Sequence, residues 1–320
     1  MTQSDPIYDL TGKRIWVAGH RGMVGSAIIR RLEQEKPAEI LTATSRELDL
    51  RRQADVEGWM DNEKPDVVFV AAAKVAGIKG NDDCPADFLY ENLMIESNVI
   101  HSAHKAGVEK LIFLGSSCIY PKETQIPIKE DQLLTGKLEE TNEGYAIAKI
   151  AGIRLCQAYR RQHGCDFISA MPTNLYGPGD RYDLDTSHVL PAFIRKTHEA
   201  KMKSQSTVEM WGTGKPMREF LHSDDCADAV VFLAKNYSDL EHVNVGSGYD
   251  MTIEEALRTV MDVVGFDGEI KKKLDEKDGT FRKLMSSEKL LNMGWKPQKE
   301  FKEGLREAYQ WFLENEASGS

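Results

Sequence analysis

Three glycines at three-residue spacing, Gly19, Gly22 and Gly25, follow a short apolar segment and precede a run with helical periodicity. A glycine turn between a strand and a helix lets the backbone approach a pyrophosphate closely. The free N–H groups at the start of the helix then face the phosphates. The turn therefore predicts an α/β unit that binds a dinucleotide. The apolar segment before the turn should be a strand of its sheet.

Short apolar segments alternate with helical segments throughout residues 1–175. Such alternation predicts a parallel, doubly wound sheet covered by helices on both faces. After residue 176 the rhythm becomes irregular. We therefore predict an α/β fold in two parts. A cofactor-binding domain spans residues 1–175, with later returns to its sheet near residues 219–247, and a smaller substrate lobe spans residues 176–320.

Composition narrows the class of protein. With 41% hydrophobic and 29% charged residues, the 320-residue chain has the composition of an ordinary soluble globule. A net charge of −10 argues against nucleic acid or an anionic membrane as a partner. The amino-terminal residues are polar and acidic, unlike a secretory signal. Five cysteines without a CxxC pair disfavour a disulfide framework and a zinc site. We expect a cytoplasmic protein without a metal.

The end of the second predicted strand indicates which cofactor binds. NAD-binding turns place a carboxylate there for the ribose 2′-hydroxyl. This chain has Ser45 and Arg46 instead, and Arg21 of the glycine turn reaches the same region. Two guanidinium groups suit a 2′-phosphate, so the sequence predicts NADP, unless both arginines are merely solvated surface. Asp49 and Leu50 follow, at the expected position of the adenine ring.

Tyr145 and Lys149 lie four residues apart on a predicted helix and project from the same face. An ammonium group close to a phenol attracts the phenolate, so we expect the pKa of Tyr145 to fall toward neutrality. Ser116 follows a predicted strand at the carboxyl edge of the sheet, where ligands bind. Together the three residues predict a reductase triad. Alone, the tyrosine and lysine would fit an exposed helix with a solvated lysine.

Long strings of this sequence resemble the GDP-L-fucose synthase family of extended short-chain dehydrogenases/reductases. They are GSSCIYP (115–121), NEGYAIAK (142–149), MPTNLYGP (171–178), SHVLPA (187–192), WGTGKPMREFLH (211–222) and DGTFRKL (278–284). The resemblance implies a dimeric 3,5-epimerase and NADPH-dependent 4-reductase that acts on GDP-4-keto-6-deoxy-D-mannose. The GxxGxxG spacing of the glycine turn is typical of the same group.

The resemblance also assigns residues. Cys118 and His188 match the acid/base pair for epimerisation, and we expect the Cys118 thiolate to remove a proton and the His188 imidazolium to return one. The matched sugar-nucleotide residues are Lys196, Trp211, Arg218 and Asp278. Lys283 is expected to be a solvated surface charge. The expected cofactor contacts are Gly19, His20, Arg21, Gly22, Met23, Val24, Gly25, Ser45, Arg46, Asp49, Leu50, Leu114, Gly115, Ser116, Ser117, Lys149, Pro172, Thr173, Asn174, Leu175 and His188.

One loop departs from the family pattern. Many members read GPHDNF where this chain has GPGDRY at residues 177–182. The departure leaves open a GDP-L-colitose or GDP-6-deoxyheptose version of the enzyme, or a simple 4-reductase. A 4-epimerase with retained NAD and a catalytically silent nucleotide sensor are weaker alternatives. Two helical stripes predict either a dimer interface or core: Phe88, Asn92 and Ile95, and Ile150, Ile153 and Gln157.

Overall fold

A computed structural model of the protein describes residues 6–184, 187–275 and 280–317. Its strands are β1 (Arg14–Ala18), β2 (Glu39–Leu41), β3 (Val67–Val70), β4 (Lys110–Leu114), β5 (Asp166–Pro172), β6 (Asn174–Tyr176), β7 (Thr207–Trp211), β8 (Met217–His222), β9 (Val243–Val245), β10 (Asp250–Thr252), β11 (Glu269–Lys273) and β12 (Arg282–Lys283). Its helices are α1 (Met23–Leu32), α2 (Gln53–Glu63), α3 (Ile78–Asp83), α4 (Pro85–Lys105), α5 (Glu143–His163), α6 (Val189–Met202), α7 (Ser223–Asn236), α8 (Ile253–Val264), α9 (Glu288–Asn292) and α10 (Phe301–Asn315).

The main sheet has six parallel strands in the order β2-β1-β3-β4-β5-β9. Side chains alternate across it, as the pleat requires. Ile15 and Val17 of β1 pack with α1 and α7, whereas Trp16 and Ala18 pack with α2, α4 and α5. A sheet covered on both faces has strands of continuous apolar sequence, as in β3 and β4. The predicted doubly wound α/β fold is confirmed.

The second part of the chain is built around β8. Strands β6 and β12 pair with β8 in parallel, and β10 pairs with it antiparallel. Strands β7 and β11 form a separate two-stranded sheet. Helices α6, α8 and α10 enclose the core beside them. Helix α8 begins with a capping box of Thr252 and Glu255 and ends at Gly265 in the left-handed conformation.

Helices α4 and α5 carry the two stripes that the sequence assigned either to the core or to a dimer interface. Phe88, Ile150 and Ile153 are buried in the chain's own core. The Asn92 side chain is buried and pairs with the backbone N–H and carbonyl of Lys74 at 2.9 and 3.0 Å. Both stripes therefore contribute to the core of the single chain, with Ile95 only half-buried. Within the described residues, no helix is long and apolar enough to span a bilayer.

Gly25 in the glycine turn and Gly58 in helix α2 provide a matched test of how closely the turn is packed. A Cβ atom on Gly25 would lie 2.1 Å from the carbonyl oxygen of Gly19, whereas a Cβ on Gly58 in α2 would meet nothing within 4 Å. We expect Gly25→Ala to lower the free energy of unfolding by at least about 2 kcal/mol through overpacking. Gly58→Ala should raise it by roughly 0.5–1 kcal/mol. Urea denaturation measures both, and equal effects would contradict this account.

Candidate active site

The glycine turn has the shape that a dinucleotide requires. Gly19 has φ +90°, and a Cβ there would lie 2.6 Å from the backbone nitrogen of Ala72. Helix α1 begins after Gly22, with no side-chain cap and no acid in its first turn. Its N-terminal N–H groups therefore face the end of the sheet without a competing carboxylate. These residues fit a bound pyrophosphate.

The loop after β2 lies beside the glycine turn. The Glu47 carboxylate accepts the N–H of Thr44 at 2.7 Å, which lowers the pKa of Glu47, and the charges of Arg21 and His20 lower this pKa further. Ser45, Arg46 and Arg21 are exposed. The predicted neighbourhood of Arg21 and the β2 loop is thus present. Both arginines lie on the surface, where a 2′-phosphate could meet them.

The two residues predicted at the adenine ring are held by the protein itself. The Asp49 carboxylate binds the Arg51 side chain at 2.8 and 2.9 Å. Leu50 is half-buried against the core beneath α2 and α4, and its carbonyl accepts the Asn98 amide at 2.9 Å. Asp49 therefore presents its backbone, more than its charge, to a neighbouring ligand.

Four of the predicted catalytic residues meet at the carboxyl end of β4. Ser116 Oγ lies 3.0 Å from Cys118 Sγ, and the Ser116 hydroxyl is near enough to Tyr145 to oppose the rise in its pKa. Lys149 Nζ donates to the carbonyl of Leu114 at 3.0 Å and lies 5.9 Å from the centre of the Tyr145 ring. A ketone oxygen placed near Ser116 and Tyr145 would meet two hydroxyl donors.

The pKa of Tyr145 in this cluster is shifted in the direction opposite to the one expected. Burial raises the pKa of Tyr145, and the negative charges available to Cys118 and Glu96 raise it further, while the bond from Ser116 opposes them. Burial also lowers the pKa of Lys149, against the attraction of Glu96. The predicted fall in the pKa of Tyr145 is wrong for this state. Glu96, on α4, is a charged neighbour that sequence reasoning missed.

His188 precedes α6, is exposed, and makes no capping bond from its side chain. The surrounding protein and then the charge of Arg181 lower the pKa of His188. Asn174, in β6, donates its amide to the carbonyl of Glu219 at 2.8 Å. Thr173, beside it, donates its hydroxyl to the same carbonyl at 3.4 Å. The stretch from Pro172 to Leu175 thus lies at the carboxyl end of β5 and in β6.

The predicted sugar-nucleotide residues lie on the second part of the chain. Lys196 Nζ lies 4.7 Å from the centre of the Trp211 ring, which is 55% exposed. The Arg218 guanidinium donates to the carbonyls of Met217 and Thr280 at 2.8 and 2.6 Å. Asp278 lies outside the described residues. Lys196 and Trp211 thus form one accessible pair that offers a cation and an aromatic face.

Lys283 requires a correction. Strand β12 places Lys283 directly opposite Arg218 in register. Burial lowers the pKa of Lys283; the negative charge available to Cys118 opposes this, and Arg218 adds to the lowering. Its neighbour Arg282 points away and pairs with Asp250 at 2.6 Å. Lys283 is therefore a half-buried group close to Arg218 and within the electrostatic reach of Cys118, and its assignment as solvated surface charge is wrong.

The loop that departs from the family pattern packs inward. The Tyr182 hydroxyl donates to the carbonyl of Ala308 at 3.0 Å, and its buried ring packs on Trp311 and Phe312. A Cβ on Gly179 would lie 3.5 Å from the Cα of Met23 at the start of α1. The loop thus joins the start of α1 to α10. Tyr182, the last residue of the departure, belongs to the core.

Comparisons with known proteins agree with this geometry. Residues 15–246 match the model of the NAD dependent epimerase/dehydratase family. A GDP-L-fucose synthase of Sinorhizobium fredii is 58% identical over 98% of this chain and 99% of its own. One of Escherichia coli is 49% identical over 96% and 98%. A crystal structure of a GDP-L-fucose synthetase from Naegleria fowleri bound to NADP superimposes with a TM-score of 0.90, at 28% identity, covering 98% of this chain and 97% of its own.

The match to the family model covers most of the chain, and the two synthases align over nearly the whole of it. The chain belongs to the NAD dependent epimerase/dehydratase family and, within it, to the GDP-L-fucose synthase family.

Proposed function

We propose that this protein converts GDP-4-keto-6-deoxy-D-mannose to GDP-L-fucose, with NADP as its cofactor. It epimerises the sugar at C3 and C5 and then reduces C4. The observation that carries the proposal is the meeting of Ser116, Cys118 and Tyr145 at the end of β4. That group combines donors for a ketone oxygen with a thiol beside them, which a simple reductase does not require.

The chemistry explains why one oxygen site serves the whole reaction. A C4 ketone acidifies both neighbouring carbons, because each carbanion delocalises onto the C4 oxygen as an enolate. Donors at Ser116 and Tyr145 stabilise that oxygen in each step. Inversion at a carbon also needs a base on one face and an acid on the other. Cys118 and His188 are the two groups that we assign to this task.

The lowered pKa of His188 bears on which group acts as the base. We assign proton removal to the Cys118 thiolate and proton return to the His188 imidazolium. The same pair with the proton on sulfur would exchange these roles, and the lowered pKa of His188 favours that arrangement before substrate binds. Each inversion moves one proton from His188 to the sugar and one from the sugar to Cys118, so the pair must pass that proton back to His188 through solvent before the same roles serve at C5.

Reduction completes the sequence. NADPH supplies the hydride that C4 receives, and the Tyr145 hydroxyl gives its proton to the C4 oxygen, leaving a hydroxyl group on the sugar. Lys149 then faces the tyrosinate and stabilises its charge. The glycine turn and the arginines at positions 21 and 46 would hold the pyrophosphate and 2′-phosphate.

Binding of the sugar nucleotide falls to the second part of the chain. Lys196, Arg218 and Lys283 supply cations for the diphosphate, and Trp211 offers a ring to the base or ribose. Asp278 remains assigned to a hydroxyl or a guanine N–H. These assignments support a cofactor domain at residues 1–175, with later returns near residues 219–247, and a substrate lobe at 176–320.

Product identification tests the proposal. The purified protein is incubated with GDP-4-keto-6-deoxy-D-mannose and NADPH, and the product is assigned by NMR. We expect oxidation of NADPH and formation of GDP-L-fucose. GDP-D-rhamnose would mean that the protein is a simple 4-reductase. No turnover of this sugar, with turnover of a 3-deoxy or seven-carbon analogue, would favour the colitose or heptose alternatives.

Two variants separate the proposed roles, with exchange measured in deuterium oxide without NADPH. Because Cys118 is assigned as the base, Cys118→Ser should lose deuterium exchange at C3 by about 100-fold or more. Exchange that continues without inversion would instead make Cys118 the acid. Tyr145→Phe should slow both exchange and reduction by roughly 100-fold, because the C4 oxygen loses a donor in each step. Wild-type exchange in Tyr145→Phe would contradict the shared oxygen site.

Lys283 and Arg282 form a matched pair on one strand. Lys283→Met should raise KM for the sugar nucleotide by about tenfold or more, because a charge-assisted bond to phosphate is lost. Arg282→Met should leave KM within about twofold, because Arg282 pairs with Asp250 on the surface. Steady-state kinetics at fixed NADPH measures both. Equal KM values for the two variants would show that Lys283 does not bind the sugar nucleotide.

A homodimer is also proposed. The outer surface of the paired helices α4 and α5 exposes large apolar side chains, with Tyr90 at 62% and Ile147 at 42% exposure. A second copy would cover both helices in a four-helix arrangement. Light scattering coupled to size exclusion should give about twice the 36.0 kDa of one chain. Tyr90→Arg should shift the mass toward the monomer, and a monomeric wild type would contradict the proposal.

A cytoplasmic location is proposed as well. All five cysteines are free thiols, as a reducing compartment permits. Cell fractionation of the native host tests this, and recovery from an oxidising compartment would contradict it.

A further inference from the structure

A buried carboxylate lies behind the catalytic lysine. Glu96 is on α4 and is 1% exposed. Its Oε2 is 3.8 Å from Lys149 Nζ, and the two side chains are 2% and 3% exposed. Within the described part of the chain, neither Glu96 oxygen has a partner in hydrogen-bond geometry. Burying a carboxylate without hydrogen-bond partners costs free energy, and an apolar residue in its place would avoid that cost. The presence of Glu96 at this position therefore requires a functional explanation.

Lys149 is the group that Glu96 affects. Its ammonium donates to the carbonyl of Leu114 and lies 4.7 Å from the centre of the Phe113 ring. Both contacts orient the ammonium, but neither neutralises it. Burial lowers the pKa of Lys149, and the Glu96 carboxylate is the largest opposing influence. Without that carboxylate, the lysine would be more readily deprotonated in the interior.

The other titratable groups facing the pair come from two elements. On α5, Tyr145 and Cys156 both respond to the charge of Glu96. From the turn after β4, the charge available to Cys118 raises the pKa of Lys149. The pKa of Glu96 itself is raised to about 7, chiefly by burial, with Lys149 opposing. Burial thus favours the neutral form of both Glu96 and Lys149, and the charge of each opposes that effect on the other.

We propose that Glu96 is a positioning residue that keeps Lys149 cationic and fixed beneath Tyr145. Because Glu96 is 1% exposed, its carboxylate would act through Lys149 and not directly on a substrate. Only the kinetic effect expected for the Glu96 variants rests on the proposed function. The ionisation of Lys149 is a property of the protein alone.

Ionisation is measured first, without substrate. The Cε carbons of lysine are labelled with ¹³C, and the Lys149 signal is assigned from its loss in Lys149→Arg. In the wild type, Lys149 should be cationic at pH 7, and a neutral Lys149 there would overturn the proposal without any variant of Glu96. In Glu96→Gln, which keeps the shape of the side chain, its titration should move to lower pH by about one pH unit or more. An unchanged titration would also overturn it.

Kinetics is the second measurement. Activity that depends on a cationic lysine is lost as pH rises through the pKa of that lysine, so Glu96→Gln should move this loss to lower pH. At pH 8 we expect kcat to fall by about tenfold or more, with KM changed less than about threefold. Glu96→Asp, which keeps the charge, should restore part of the rate. A uniform loss at every pH would indicate a structural role only and would overturn the proposal.

The same helix offers a control. Glu91 binds Lys74 and Arg51 near the surface of α4, and Glu91→Gln should leave the pH profile and the Lys149 signal unchanged. A comparable shift in this variant would mean that any lost charge on α4 has the same effect, which contradicts a specific role for Glu96. If the protein fails to turn over the proposed sugar, the NMR titration still decides the ionisation of Lys149.

Discussion

The ammonium group of Lys149 is a positive charge enclosed in the interior, and the catalytic geometry depends on how it is held. Its bond to the carbonyl of Leu114 ties α5 to the last residue of β4. Ser116 and Cys118 follow that residue directly, and Tyr145 lies one turn before the lysine. Fixing the ammonium therefore fixes the hydroxyls and the thiol relative to one another. The energetic cost is a buried cation, and Glu96 is the group that offsets it.

The parts of the fold that local patterns determine could be predicted from the sequence. Strand β4 at residues 110–114 and helix α10 at residues 301–315 are of this kind, because continuous apolar runs and helical periodicity need no distant partner. Nothing in the local pattern identified β8, Met217–His222, as a strand. Strands β6 and β12 pair with it from 46 and 65 residues away in sequence. Such short strands exist only because of those distant partners.

The same distinction holds for the site. Tyr145 and Lys149 could be found because helical spacing alone places them together. Glu96 and Lys283 could not, because nothing local distinguishes them from solvated charges. Tertiary burial gives both of them their properties. The error about the pKa of Tyr145 has the same origin. A Coulomb estimate for an isolated pair omits the desolvation of the phenol and the negative charges available to Cys118 and Glu96, and here those effects prevail.

A raised pKa suits the proposed sequence of steps better than the lowered one that was expected. During epimerisation the C4 oxygen becomes an enolate, and a neutral phenol at Tyr145 keeps a proton with which to bond it. A phenol ionised at rest would repel the same oxygen. The final step needs no acidic phenol either, since hydride addition produces an alkoxide that is a stronger base than a phenolate and takes the proton itself. The cation at Lys149 then matters most after this transfer, when tyrosinate forms in a buried site. Burial of Tyr145 and retention of charge on Lys149 are thus complementary requirements of one oxygen site that serves both activities.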